Sequence, residues 1–237
     1  MIKLHQFPTA WGLPNLSPFC MKVETWLRLA GLPYEVVVNK APNRAPLGKL
    51  PMVEDGGRRI PDSHTILDEL ARTHGIKLDD GLSAAERATA LAFTRLCSEH
   101  LYWAVVYTRW GDDAGWRAVR PVFFGFLPEP VRTLVAGLIR RGTLKQLHGH
   151  GLGRHPTQEI LRRGALDLGA IADFLGDKAF MFGDRPTSLD ATIYAFVANV
   201  LDVPIDGTLK RAAAARPNLV EYCRRMRARC YPEARAA

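Results

Sequence analysis

The chain has 237 residues, 47% of them hydrophobic and 24% charged, with a formal net charge of +8. That length can bury a sizeable core in one large or two small domains, and the composition is that of an ordinary globular protein. No basic n-region, apolar stretch and cleavage site open the chain, and its apolar runs break well short of ~18 residues, so neither a leader nor a transmembrane segment is expected.

Much of the positive charge lies late, at Arg224, Arg225, Arg227 and Arg229. No nucleic-acid reading module accompanies it, so no nucleic-acid partner is expected. These arginines read as the solvated side of a helix whose apolar side is Leu219, Tyr222, Cys223 and Met226. Attraction to anionic small molecules or an acidic membrane surface stays open. The cysteines, Cys20, Cys97, Cys223 and Cys230, are dispersed and form no C-x-x-C pair, which fits a reducing, cytoplasmic compartment.

In chain order, residues 2–7 read as a strand and 8–15 as a loop. Ser17 is a good N-cap and Pro18 a good first helical residue. Val23, Trp26, Leu27 and Ala30 follow at helical spacing, with Gly31 as a stop. Residues 34–38 are rich in β-branched side chains and read as a buried strand, and 39–49 as a loop. Residues 50–54 read as a strand entered through Pro51, and Asp55-Gly56-Gly57 as a hairpin turn into 58–60. Asp62 or Ser63 caps a second helix carrying Ile66, Leu67 and Leu70, with Gly75 after it.

Everything beyond a polar linker reads as helical. Ala92, Leu96, Trp103, Val106 and Trp110 mark one long helix, and Val131, Leu134, Val135 and Leu138 a second. Ile160, Leu168, Ile171 and Leu175 mark a third. Thr187 to Asp190 forms a capping box opening a helix with Ile193, Tyr194, Val197 and Leu201. The last helix begins near Pro217. The chain is therefore α/β followed by all-α: residues 1–76, a linker over 77–83, and an all-helical domain over 84–237.

Three features of the first domain can carry chemistry. Ser17-Pro18-Phe19-Cys20 offers a hydroxyl, a thiol and unpaired N–H groups at a helix N-terminus, a place to stabilise an anion. Gly48-Lys49-Leu50-Pro51 brings a strand in through a proline whose bond would be trans on frequency alone. Asp62-Ser63-His64 sets an acid and a hydroxyl at a helix start, able to hold an ammonium and a carboxylate.

Together these motifs resemble the glutathione S-transferase family: its active-site helix start, its cis-proline strand and its Glu/Gln-Ser motif. Pro186-Thr187-Ser188-Leu189-Asp190 resembles the capping box of the family's helical domain. With Gly151-Leu152-Gly153-Arg154-His155 and Pro217-Asn218-Leu219-Val220-Glu221-Tyr222, the wording is closest to the Fax and metaxin-like branch. The resemblance spans nearly the whole chain. It implies a thioredoxin-like domain binding glutathione as co-substrate, and a helical domain completing a cleft for a small hydrophobic electrophile. By that resemblance the Ser17 hydroxyl faces the glutathione sulfur. Leu50 pairs with the cysteinyl backbone beside a cis Pro51, Ser63 holds the γ-glutamyl carboxylate and Asp62 the ammonium. Lys49 and His64 are further contacts, and Trp11, Tyr102 and Tyr107 candidates for the apolar site. The wider family is usually dimeric, so a homodimer is an open expectation, although no residue pattern marks an interface.

Phe7 and Pro8 stand where many transferases of this fold carry a tyrosine, which leaves a serine mechanism. Some members of the Fax and metaxin branch act without turnover, so a non-catalytic glutathione- or partner-binding scaffold is the alternative. Cys20 lies one turn inward from Ser17 and reads as packed; a Cys20-dependent thiol reductase is a third reading. His148, His150 and His155 lack zinc spacing, so no metal is expected. Gly149-His150-Gly151-Leu152-Gly153 is not a dinucleotide fingerprint.

Overall fold

A computed structural model describes residues 1–39 and 42–232. Lys40 and Ala41, within the expected 39–49 loop, and residues 233–237 lie outside the described residues.

Alternation drives the first strand. In β1 (Ile2–Gln6), Ile2, Leu4 and Gln6 point inward while Lys3 faces solvent. β1 is central: β2 (Tyr34–Val38) pairs with it in parallel, and β3 (Met52–Asp55) antiparallel on its other side. β4 (Arg58–Pro61) returns from β3 through the Gly56-Gly57 turn, giving the order β2-β1-β3-β4. Helices α1 (Pro18–Leu29) and α2 (Ser63–His74) cover the inward face with Val23, Trp26, Leu27, Ile66, Leu67 and Leu70. Gly75 ends α2 in the left-handed region. This is a thioredoxin-like domain.

One expectation fails here. The β2 segment is not buried: it is the sheet edge, with Val36 41% and Val38 53% exposed. A β-branched run fits a pleated surface equally well at an edge or a centre, so composition could not decide.

The remaining described residues are helical. The long helix is α3 (Ala84–Arg95) running through a π-helical turn (Leu96–Leu101), α4 (Tyr102–Val106) and a second π-helical turn (Tyr107–Gly111). Its buried side is Thr94, Cys97, Leu101, Ala104, Val105 and Arg109. Of the expected face Val106 is buried as well, but Ala92, ahead of both π-turns, is exposed, and Trp103 and Trp110 are only half-buried. Each π-turn adds a residue to the turn and rotates the side chains after it.

Next come α5 (Asp113–Phe124), α6 (Val131–His150), α7 (Thr157–Leu175), α8 (Ser188–Leu201), α9 (Thr208–Ala214) and α10 (Pro217–Cys230). Neither α5 nor the short α9 was expected. In α6 the expected apolar row faces outward: Leu134 and Leu138 are more than 60% exposed, while Ala136 and Leu147 are buried.

α8 is apolar all round and buried without interruption from Leu189 to Val200. Its capping box is complete, with Asp190 accepting from Thr187 N–H and Oγ1–H, from Met181 N–H and from the Tyr222 hydroxyl. α1 packs along α8, and Trp26 Nε1 donates to Ser188 Oγ at 2.9 Å. Thr25 Oγ1 meets the Tyr231 hydroxyl at 2.9 Å, and Arg28 reaches the Cys230 carbonyl. Helix α1 is therefore seated between the sheet and the helical layer.

Candidate active site

The loop after β1 turns into α1 at Ser17, whose backbone is extended (φ −86°, ψ 115°). Its Oγ accepts the Cys20 N–H at 3.4 Å, a long contact, and the side chain is half-buried.

Buried polar groups hold this loop. Asn15 Nδ2 donates to the Phe7 carbonyl at 2.5 Å, and Asn15 Oδ1 accepts the Ser17 N–H at 3.0 Å. Asn199 on α8 donates to the Asn15 carbonyl at 3.2 Å. Arg109 donates to the Leu16 carbonyl at 2.5 Å and to the Asn199 carbonyl and side-chain oxygen, each at 2.8 Å.

Cys20 is fully buried against Ala45, Leu50 and Met52, with Phe7 alongside. Burial pushes its thiol up to about 12, against hydrogen bonds to Ser17 and the Phe7 backbone. It offers no thiolate near neutral pH. The same packing sets Leu50, and the cis bond from Leu50 to Pro51, against the first turn of α1.

Asp62 is the N-cap of α2 and adopts φ 69°, ψ 126°, strained for a non-glycine residue. Its Oδ1 accepts the His64 and Thr65 N–H groups at 2.9 and 3.1 Å, and among the described residues Oδ2 takes no hydrogen bond. Ser63 begins the helix and is buried. Lys22 Nζ, from α1, reaches Ser63 Oγ at 3.4 Å. That lysine is 1% exposed and forms no ion pair among the described residues; burial pulls it down to about 8, with Asp62 and Asp68 opposing. A cavity of about 210 Å³ opens here, lined by Lys22, Trp26, His64, Asp68 and Thr94 among others.

Three separate sequence motifs thus meet α1: Ser17 caps it, Leu50 packs on Cys20, and Ser63 touches Lys22. Lys49 is exposed on its loop, and His64 is half-buried with Nε2 3.8 Å from Asp68. Trp11 has φ 54° in the turn before Ser17, where Arg227 holds the Gly12 carbonyl. Tyr102 packs edge-on against Phe19 at 4.8 Å. Tyr107 is set apart from them. Its hydroxyl meets Thr157 Oγ1 at 2.5 Å in a cavity of about 300 Å³ walled by Val200, Val203, Ile205 and Leu209, which Ser17, Pro51 and Ser63 do not line.

His150 stacks on Trp103 at 4.9 Å, and among the described residues no group of His, Cys, Asp or Glu is placed to hold a metal ion. Sequence reasoning missed Asn15, Lys22, Arg109 and Asn199. Lys22 did carry a signal, because it lies one turn before Trp26 on the apolar stripe of α1. The others had none, since their partners lie far along the chain.

Residues 18–115 match the family model "Glutathione S-transferase N-terminal domain", and residues 164–226 match "Glutathione S-transferase, C-terminal domain". The chain is 35% identical over 233 residues to the isoprene-epoxide–glutathione S-transferase of Rhodococcus sp. (strain AD45), covering 96% of this chain and 98% of that protein. The chain belongs to the glutathione S-transferase family.

Within that family it is also similar to Failed axon connections of Drosophila melanogaster, 35% identical over 98% of this chain and 59% of that longer protein. The Metaxin-1 homolog of Caenorhabditis briggsae is 30% identical, over 93% of this chain and 71% of that one. Among solved structures, the β-etherase LigF of Sphingobium sp. strain SYK-6 has the same fold, with a TM-score of 0.68 at 17% identity over 99% of this chain and 98% of that one. The transferase fold accounts for the paired layers: a glutathione S-transferase N-terminal domain on the sheet, and the helical domain around α8.

Proposed function

We propose that the chain conjugates glutathione to a small hydrophobic electrophile, with Ser17 as the catalytic group. The observation that carries this reading is the reachable Ser17 hydroxyl at the N-terminus of α1, beside a Cys20 that is buried and unreactive. In this reading residues 1–76 hold glutathione. Leu50 and cis Pro51 meet its cysteinyl backbone, Ser63 the γ-glutamyl carboxylate, and Asp62 Oδ2 the ammonium. Lys49 and His64 contribute at the rim. Trp11, and Tyr102 with its packing on Phe19, line the electrophile's site.

The magnitudes are adequate. A free thiol of pKa ~8.5 is only about 3% thiolate at pH 7. Lowering it by two units requires roughly 2.7 kcal/mol. A hydrogen bond to a charged group supplies about 1.5–3 kcal/mol, and a helix N-terminus about 0.3–1 kcal/mol. The Rhodococcus relative's name supports a strained epoxide as the electrophile. There the sulfur–carbon bond forms as a ring carbon–oxygen bond breaks, and the alkoxide takes a proton from water.

Retention on glutathione-agarose and turnover of a small epoxide test this, wild type against Ser17→Ala. A folded wild type that neither binds nor turns over refutes it. The second reading, a binding scaffold, is favoured by the similarity to Failed axon connections. It expects equal activity, or none, in both proteins and a partner recovered by pull-down.

A further inference from the structure

Arg109 carries a charge that nothing in the described chain neutralises. Its side chain is 5% exposed. Its hydrogen-bond acceptors are all neutral: the Leu16 carbonyl, the Asn199 carbonyl and the Asn199 amide oxygen. It forms no ion pair among the described residues, and its Nε–H is buried without a partner. Burial pulls its pKa down only to about 10, so it stays protonated at neutral pH. A buried cation is costly unless an anion offsets it, and a structural cross-link between two carbonyls does not require one.

The Ser17 hydroxyl, which the proposed function sets against the glutathione sulfur, is one peptide unit away. Nη1 bonds to the carbonyl of Leu16, and the next residue is Ser17. Nη2 bonds to Asn199, which holds Asn15, whose Oδ1 in turn holds the Ser17 N–H. Tyr102, packed on Phe19, lies within the guanidinium's field.

We propose that Arg109 is a positioning residue with a fixed charge: it pins the Leu16 carbonyl so that Ser17 keeps its place, and its un-neutralised guanidinium favours the thiolate form of glutathione bound there. This rests on the glutathione reading above. As a general scale, a unit charge about 8 Å from an ionising group, at an effective dielectric of about 20, moves that ionisation by about 1.5 pKa units, or about 30-fold. That is comparable to what the Ser17 hydroxyl supplies.

The experiment is a pH titration of the ultraviolet thiolate absorbance of bound glutathione, with affinity measured alongside by calorimetry. Five proteins are compared: wild type, Arg109→Lys, Arg109→Met, Asn199→Asp and Asn199→Leu. Arg109→Met removes the charge and is expected to raise the pKa of bound glutathione by about 1–1.5 units, a 10- to 30-fold fall in its ionisation constant and about a 5- to 10-fold fall in the thiolate fraction at pH 7. Arg109→Lys keeps the charge but not the fork, and is expected to weaken binding while the thiolate fraction changes less than threefold. Asn199→Asp sets a carboxylate against Nη2 and neutralises the guanidinium in place but gives up the Nδ2 donation to the Asn15 carbonyl, a loss that Asn199→Leu shares without neutralising the charge; about a tenfold fall in the ionisation constant of bound glutathione beyond that in Asn199→Leu is expected, which carries the test should Arg109→Met fail to fold. An unchanged thiolate fraction in the charge-removing variants overturns the proposal and leaves the glutathione reading standing. So does a loss in Arg109→Lys as large as in Arg109→Met, because geometry alone would then explain it. A folded wild type that binds no glutathione overturns both.

Discussion

Lys22→Met tests the electrostatics of α1 without any ligand. Methionine matches the lysine stem in volume, so packing is nearly conserved. In the folded chain burial lowers the ammonium from its ordinary 10.5 to about 8, with Asp62, Asp68 and Cys97 favouring the charge and Arg95 opposing it. The sign follows from proton counting. Between pH 8 and 10.5 the unfolded chain binds a proton that the folded chain lacks, so stability rises with pH there. Below pH 8 both states are charged and the folded state carries the full cost, roughly 3 kcal/mol for a shift of that size. Lys22→Met removes that cost. It is expected to be more stable than wild type at pH 7, and the difference should shrink by about 2–3 kcal/mol between pH 7 and pH 10. Urea unfolding of both proteins at several pH values reads this directly, since titrations shared by the two cancel in the difference. A pH-independent difference, or a variant less stable than wild type at pH 7, would refute the reasoning.

Ser17→Ala should lower kcat/KM for glutathione conjugation about 10- to 100-fold, the worth of one hydrogen bond to a charged group, while costing only about 0.5 kcal/mol of stability because the cap contact is long; steady-state kinetics and thermal melting check the two halves. Asp190→Ala leaves the donors of Met181 and Thr187 without an acceptor and the Tyr222 hydroxyl with the backbone carbonyl of residue 190 alone, and is expected to cost about 3–5 kcal/mol in chemical denaturation. All four cysteines are buried, and burial raises their thiols. A thiol reagent should therefore label the native protein far more slowly than the same protein in denaturant; rapid labelling of one native cysteine would count against the packing described.

The candidate site was legible in proportion to how local its parts are. Ser17 with Pro18, Asp62 with the N–H groups of His64 and Thr65, and Thr187 with Asp190 each satisfy backbone groups within one turn. A reader of the sequence can therefore check donor against acceptor at fixed spacing. The groups that hold the site in place were not legible. Arg109 meets a carbonyl 93 residues earlier, Asn199 one 184 residues earlier, and Lys22 a hydroxyl 41 residues later. Nothing in their neighbourhoods announces those partners.

By itself the sequence determined the α/β-then-helical order, the caps and turns that delimit most of its elements, and the buried sides of α1, α7 and α10. All of these follow from periodicity and from short-range hydrogen bonding. Only the tertiary structure decided that β2 lies at an edge, that the long helix buries Thr94 and Cys97 and, past the first π-turn, Ala104, Val105 and Arg109, and that the apolar row of α6 faces outward. It also decided that two cations without an ion pair among the described residues, Lys22 and Arg109, are buried near the first turns of α1. The reason is physical: an apolar stripe or a charged side chain specifies that a surface needs a partner, whereas which surface meets it depends on how whole layers pack.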